Sequence, residues 1–142
     1  MSEKLSARLA EIVDALPLKP DLRVLEIGCG PGAMAREIAR RLGNGHILAI
    51  DRSATAITQA EAGSAAEIAA GRLSFRQSTA ETFTLAPGEA PFDLAVAIRV
   101  GALDGRHPTA GIPARAAIKA ALKPGAKLLI DGGHPLREVD LT

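Results

Sequence analysis

Aromatic side chains are nearly missing from this chain of 142 residues, which has three Phe, no Tyr and no Trp. Proteins grip single-stranded nucleic acid by stacking its bases on aromatic rings, and they build cation cages from the same rings, so both functions are disfavoured. An excess of charge is missing too. Lys and Arg number 17 against 16 Asp and Glu, with no basic run, so no footprint for DNA or RNA is written here. Cysteine occurs once, as Cys29, which excludes an intrachain disulfide or a multi-cysteine zinc site and fits a reducing compartment. No metal site is expected. A long apolar run is also lacking. The opening MSEKLSARLAEIVDAL carries charges every few residues, unlike a signal peptide or a membrane span. A cytoplasmic protein with no nucleic-acid or membrane partner is the resulting expectation.

What is present is apolar aliphatic residue, mostly Ala, Leu, Ile and Val, within a hydrophobic total of 47%. That content and length predict one globular domain over residues 1–142. Leu5, Leu9, Ile12, Val13 and Leu16 recur at helical spacing, and Pro17 and Pro20 end the helix. Leu22–Ile27 is apolar almost throughout, as in a strand buried on both faces. A helix over Gly32–Leu42 and a strand over His46–Asp51 follow. Ser53 is placed to cap a helix over 54–62, and Ser64 with Glu67 has capping-box spacing for a short helix to Gly71. Further strands are predicted at Leu73–Gln77, Asp93–Ile98 and Ala126–Ile130, with a polar loop at Gly101–Pro108 and a helix over Pro113–Leu122. Strands alternating with helices imply a parallel sheet covered on both faces: a three-layer α/β sandwich of about five strands.

The segment VLEIGCGPG, Val24–Gly32, is the most informative stretch. Its glycines, Gly28, Gly30 and Gly32, follow an apolar strand and precede a helix, which marks a loop that holds a nucleotide-type ligand. Glu26 precedes the glycines and Asp51 closes the next strand. Ligands of such sheets lie at the carboxyl ends of the strands, where Glu26, Asp51, the segment after Gln77 and Arg99 all fall. Gly28, Gly30 and Ala33 also satisfy a relaxed dinucleotide pattern, but Glu26 would repel a pyrophosphate and no Tyr is present for hydride transfer. Cys29 reads as a small residue in a tight turn rather than a nucleophile, and His46 as structural.

Taken together, residues 20–131 resemble a class I S-adenosylmethionine-dependent methyltransferase. Beyond the glycine loop and Asp51, FDLAVAIRV at 92–100 resembles that family's fourth-strand motif, and ALKPGAKLLID at 121–131 its approach to the fifth strand. The resemblance implies that Glu26, Gly28, Cys29 and Gly30 lie along the methionine part of S-adenosylmethionine. It also implies that Asp51 accepts the ribose hydroxyls and that Arg52 lies beside the adenine. Thr79 stands where the family usually has an acid, with Ala80 beside it and Glu81 as a substitute carboxylate. Ile98 and Arg99 would border the transferable methyl. On the acceptor side, Arg99, Asp104, Arg106, His107 and His134 supply polar groups. His107 is the candidate base and Arg99 its companion, because a neutral imidazole can take a proton from a hydroxyl or amine.

The family's last two strands are expected to be missing, which leaves the fifth strand as a bare edge. Either the tail around Glu138–Leu141 covers it, or a second copy does, giving a homodimer. Two functions stay open: methyl transfer to a small-molecule O, N or S nucleophile, and a cofactor-binding module with little activity of its own. The segment Ile98–Gly101 lacks the Asn-Pro-Pro-Tyr-like motif of nucleic-acid amino methyltransferases, so a small-molecule acceptor is expected.

Overall fold

A computed structural model describes residues 5–142. Six strands form one sheet in the order β3-β2-β1-β4-β5-β6. They are β1 (Arg23–Ile27), β2 (His46–Asp51), β3 (Leu73–Gln77), β4 (Phe92–Ala97), β5 (Leu122–Asp131) and β6 (Leu136–Val139). The first five run parallel, and β6 returns antiparallel along β5. Helices connect them: α1 (Ala7–Ala15), α2 (Ala33–Arg41), α3 (Ala54–Ala62), α4 (Ala65–Ala69), α5 (Gly101–Asp104) and α6 (Pro108–Ala121).

The apolar strands are divided residue by residue between two cores, because successive side chains of a strand point to opposite faces. Val24, Ile47, Ala49, Leu94 and Val96 face one way, into a cluster with Ile12 of α1, Ile38 of α2 and Ile57 of α3. Leu25, Leu48, Ile50, Ala95 and Ala97 face the other way, into a cluster with Phe83, Phe92 and Ile118 of α6. Each fully buried Leu or Ile contributes roughly 1.5–3 kcal/mol. The expected three-layer α/β sandwich is therefore what forms. Among the described residues no helix is long and apolar enough to cross a membrane.

The sheet differs from expectation at one edge. It has six strands rather than about five, because the tail folds back: Asp131 pairs with Leu136, and Leu128 with Val139. Gly132 makes the reversal at φ +108, a backbone region costly for other residues. The edge of β5 is consequently not exposed, and a homodimer through that edge loses its premise. Lys127 and Glu138 add an ion pair across the new ladder at 3.5 Å.

Three local expectations also change. The polar loop expected at Gly101–Pro108 opens with the short helix α5, Gly101–Asp104. The helix expected from Pro113 starts at Pro108, which takes the first-turn position that suits proline, and Pro113 lies inside it. Ser64 caps nothing. Its hydroxyl instead accepts a hydrogen bond at 3.0 Å from buried Arg36, and the capping box is not made. Ser53 does cap α3, accepting from the Ala56 amide at 3.1 Å.

Candidate functional site

Chain order reverses at β1, which has β2 on one side and β4 on the other. Connections from these two strands leave in opposite directions, so a crevice opens at their carboxyl ends. It has a volume of about 1090 Å³ and is lined by Gly28, Asp51, Arg52, the 78–81 segment, and residues 99–102 and 106–110. Ligand pockets commonly span about 300–1,000 Å³, so this one has room for a nucleoside-sized molecule and a second small one.

The glycine loop is fixed by its own backbone. The amides of Gly28 and Cys29 both donate to the Ile50 carbonyl of β2, at 2.8 and 2.9 Å. The Gly30 amide donates to Asp51 Oδ2 at 2.9 Å, and the Ser53 amide to Asp51 Oδ1 at 2.9 Å. Asp51 is thereby aimed by two N–H groups, and its carboxylate keeps further lone pairs for a ligand. Gly30 sits at φ +53, and a side chain built there would meet nothing within 4 Å, so its Cα faces open space. Gly32, at φ +92, is different: a Cβ would press on Arg36, Phe75 and Ala60 at 3.0–3.2 Å.

Beneath the loop lies Arg36, only 8% exposed. Its Nη1 donates to the Pro31 carbonyl and to Ser64 Oγ, both at 3.0 Å. The guanidinium fills the room left by the missing side chains of Gly32 and Gly63, and so clamps the loop to α3 and α4. The sequence reading missed it. The signal available was an arginine on the apolar side of a helix whose neighbours Ala35 and Ile38 are buried.

Glu26 points by strand alternation toward α1 and α2, with Val24. It is 3% exposed, and its Oε1 is buried without a hydrogen-bond partner. Burial, with the nearby Asp51 charge, pushes its carboxyl up to about 8. A buried acid with an unsatisfied oxygen beside an anion is poised to receive a cation or a donor. Cys29 is buried, and its thiol is raised far above the ordinary range by the same desolvation, then by Glu26 and Asp51. A thiol so raised is a poor nucleophile.

The expected site residues separate accordingly. Gly28, Asp51, Arg52, Thr79, Ala80, Glu81, Arg99 and His107 line the crevice. Glu26, Cys29, Gly30 and Ile98 are not among the residues that line it; Glu26 and Cys29 are buried, and Gly30 and Ile98 are half-buried. The Thr79 hydroxyl is engaged with Thr82, at 2.6 Å to its Oγ1 and 3.2 Å to its amide, which leaves half-buried Glu81 as the carboxylate of that segment. His107 is exposed at the start of α6, packed against the bare backbone of Gly101. His134 lies in a separate hollow with Arg8 and Glu11. His46 bridges the Gly71 carbonyl and Ser74 Oγ, both at 2.8 Å, away from the crevice.

The methyltransferase domain family matches residues 24–125, most of the chain. The chain belongs to that family. Among named relatives, a trans-aconitate 2-methyltransferase of Streptomyces avermitilis is 37% identical over 90 residues, which are 63% of this chain and 32% of the relative. A methyltransferase structure from Thiobacillus denitrificans, bound to S-adenosylhomocysteine, is 27% identical at a TM-score of 0.66, over 87% of this chain and 46% of the other. The [4+2]-cyclase SpnF is as similar in shape, with a TM-score of 0.68 at 26% identity over 87% of this chain and 43% of the other. This chain therefore spans about a third of the methyltransferase relative and under half of either structure. The fold is the Rossmann-like one of class I methyltransferases. A cyclase on the same fold means that the reaction must be argued from this chain's own residues.

Proposed function

We propose that this chain binds S-adenosylmethionine and passes its methyl group to an O, N or S nucleophile of a small molecule. The observation that carries this reading is the acid–glycine–acid cluster at the switch point. Asp51 is aimed by the Gly30 and Ser53 amides above a glycine with open space before it, and the buried, unsatisfied Glu26 lies behind. These groups suit a molecule with an ammonium at one end and a diol at the other. Glu26 would face the ammonium, whose charge would draw the proton off its carboxyl. Asp51 would accept the two ribose hydroxyls. Arg52, Thr79, Ala80 and Glu81 would border the adenine, and Gly28 would let the backbone approach closely.

Bound there, S-adenosylmethionine would supply a methyl activated by a positively charged sulfur: a nucleophile's lone pair would bond to the methyl carbon as the carbon–sulfur bond broke, the sulfur keeping that electron pair. Arg99, which lines the crevice, and Ile98 beside it in sequence would border that methyl. His107 takes the proton that an O–H, N–H or S–H acceptor releases. Arg99 and the residues around it hold the acceptor in line, and alignment supplies much of the acceleration. A cytoplasmic location is part of this reading and rests on the single, buried Cys29.

Isothermal titration with S-adenosylmethionine, S-adenosylhomocysteine and NAD tests the cofactor. Saturable binding of the first two and not the third is expected. NAD binding alone, or binding of none by folded protein, would sink the reading. Formation of S-adenosylhomocysteine in a screen of small acceptors then tests transfer.

A further inference from the structure

The crevice walls divide by charge. Asp51 and Glu81 line it from the ends of β2 and β3, whereas Arg99 and Arg106 line it from the connection between β4 and α6. Arg99 is unusual in its backbone. At φ +59 it is the one non-glycine residue with a positive φ among the described residues. Glycine would make the same turn without strain, and left-handed strain in other residues persists where the surroundings enforce it, which clusters at functional sites. The enforcement is visible: the Arg99 amide donates to Asp131 Oδ1 at 3.0 Å, and Asp131 Oδ2 accepts from Arg8 Nη2 at 3.3 Å. This brace presents an arginine at the crevice rim, and its exposed guanidinium makes no hydrogen bond or ion pair among the described residues.

Arg106 is held by its inner nitrogens. Its Nε donates to both oxygens of Asp104, at 3.0 and 2.8 Å, and its amide to Oδ1 at 3.1 Å. Asp104 itself does not line the crevice, whereas Arg106 does. The two terminal Nη groups have no partner among the described residues. A planar guanidinium fixed on one edge and open on the other matches a carboxylate through two parallel hydrogen bonds. With this group and the unpaired Arg99 guanidinium at one end and two carboxylates at the other, an anion is favoured where the arginines are and disfavoured where the acids are.

Building on the methyltransferase reading, we propose that the acceptor end of the crevice holds a small carboxylate, gripped by Arg99 and Arg106. The acceptor is thus an acid, anchored by a carboxylate at the end of the crevice away from Asp51.

Titration of the protein with citrate, malate and trans-aconitate, each against its neutral methyl ester, tests this. It is run with and without S-adenosylhomocysteine. At least one acid is expected to bind, its ester at least tenfold more weakly, with affinity falling as salt is raised. Arg99→Gln and Arg106→Gln should each weaken the acid about tenfold. Arg99→Gly gives a second variant in which the backbone strain is relieved while the guanidinium is lost, so a folding defect is not the expected cause of its weaker binding. The proposal is overturned if no acid binds, if ester and acid bind equally, or if the double variant holds the acid within twofold. S-adenosylhomocysteine affinity in the same samples reads the cofactor assignment separately. Its failure with acid binding intact would remove the cofactor reading and leave the anion site standing.

Discussion

At the glycine-loop end of the crevice the polar groups, Glu26 Oε1 apart, bond to the protein; at the end between β4 and α6 several bond to nothing in it. Asp51 takes two amides, the loop amides sit on Ile50, and Arg36 ties Pro31 to Ser64 from beneath. At the other end Arg99 and His107 are exposed, and Arg106 is fixed only through Asp104. One end is an internal network that a ligand completes. The other is a set of side chains on a short connection, held in place by few contacts. Substitutions should therefore cost stability at the first end and function alone at the second.

The largest effect is expected at Arg36. Arg36→Ala leaves the Ser64 hydroxyl and the Pro31 carbonyl without their donor and opens a void behind the loop. A cost of about 3 kcal/mol is expected, from two lost bonds to a charged group. For a chain of this size that is a fall of roughly 10 °C in Tm. An unchanged Tm would show that the loop is not clamped from below. His107→Ala is the counterpart at the other end. Turnover of an O–H, N–H or S–H acceptor should fall about 100-fold, with Tm and S-adenosylhomocysteine affinity unmoved. Equal turnover removes His107 from the mechanism, and a fall in Tm to match Arg36→Ala would erase the contrast between the ends.

The same contrast decides what was legible in the sequence. The strand-and-glycine pattern at Val24–Gly32 and the acid at Asp51 are backbone requirements, and such requirements are written locally in residue type and spacing. Strand alternation between two cores was equally readable, because a doubly buried strand must be apolar throughout. The tail was not. LREV is four residues long with two charges, and it becomes β6 only because β5 offers an unpaired edge beside it. Ser64 was misread because a capping box and a hydrogen bond to a distant arginine look the same in sequence. Arg99 was picked out as a polar group near a strand end, but its strained backbone and the Asp131 brace needed the fold.

Asp51→Ala comes next in size. It removes a carboxylate that two amides aim, so S-adenosylhomocysteine should bind more weakly by about 2 kcal/mol, the worth of charged hydrogen bonds. The Gly30 and Ser53 amides are left facing the crevice and can turn to water, so the loss of stability should be smaller than at Arg36. Full affinity in a folded Asp51→Ala variant would move the ribose contact elsewhere.

Glu26→Gln is the most graded test, because its effect is a slope. In the unfolded chain the Glu26 carboxyl has its ordinary value near 4.5, and in the fold it is pushed up to about 8 by burial and by Asp51. Between those values the folded chain holds a proton that the unfolded chain has released. Stability contributed by Glu26 is then fully present below pH 4.5 and declines as pH rises toward 8, by at most about 1.4 kcal/mol per pH unit. Glutamine has the same shape and no charge, so it removes this slope while keeping the packing. Urea unfolding of both proteins at pH 5.5, 6.5 and 7.5 should show the variant gaining on the natural chain at each step. Parallel curves would mean that Glu26 is ionised throughout, already partnered within the fold, and that the glycine-loop end does not wait for a cation after all.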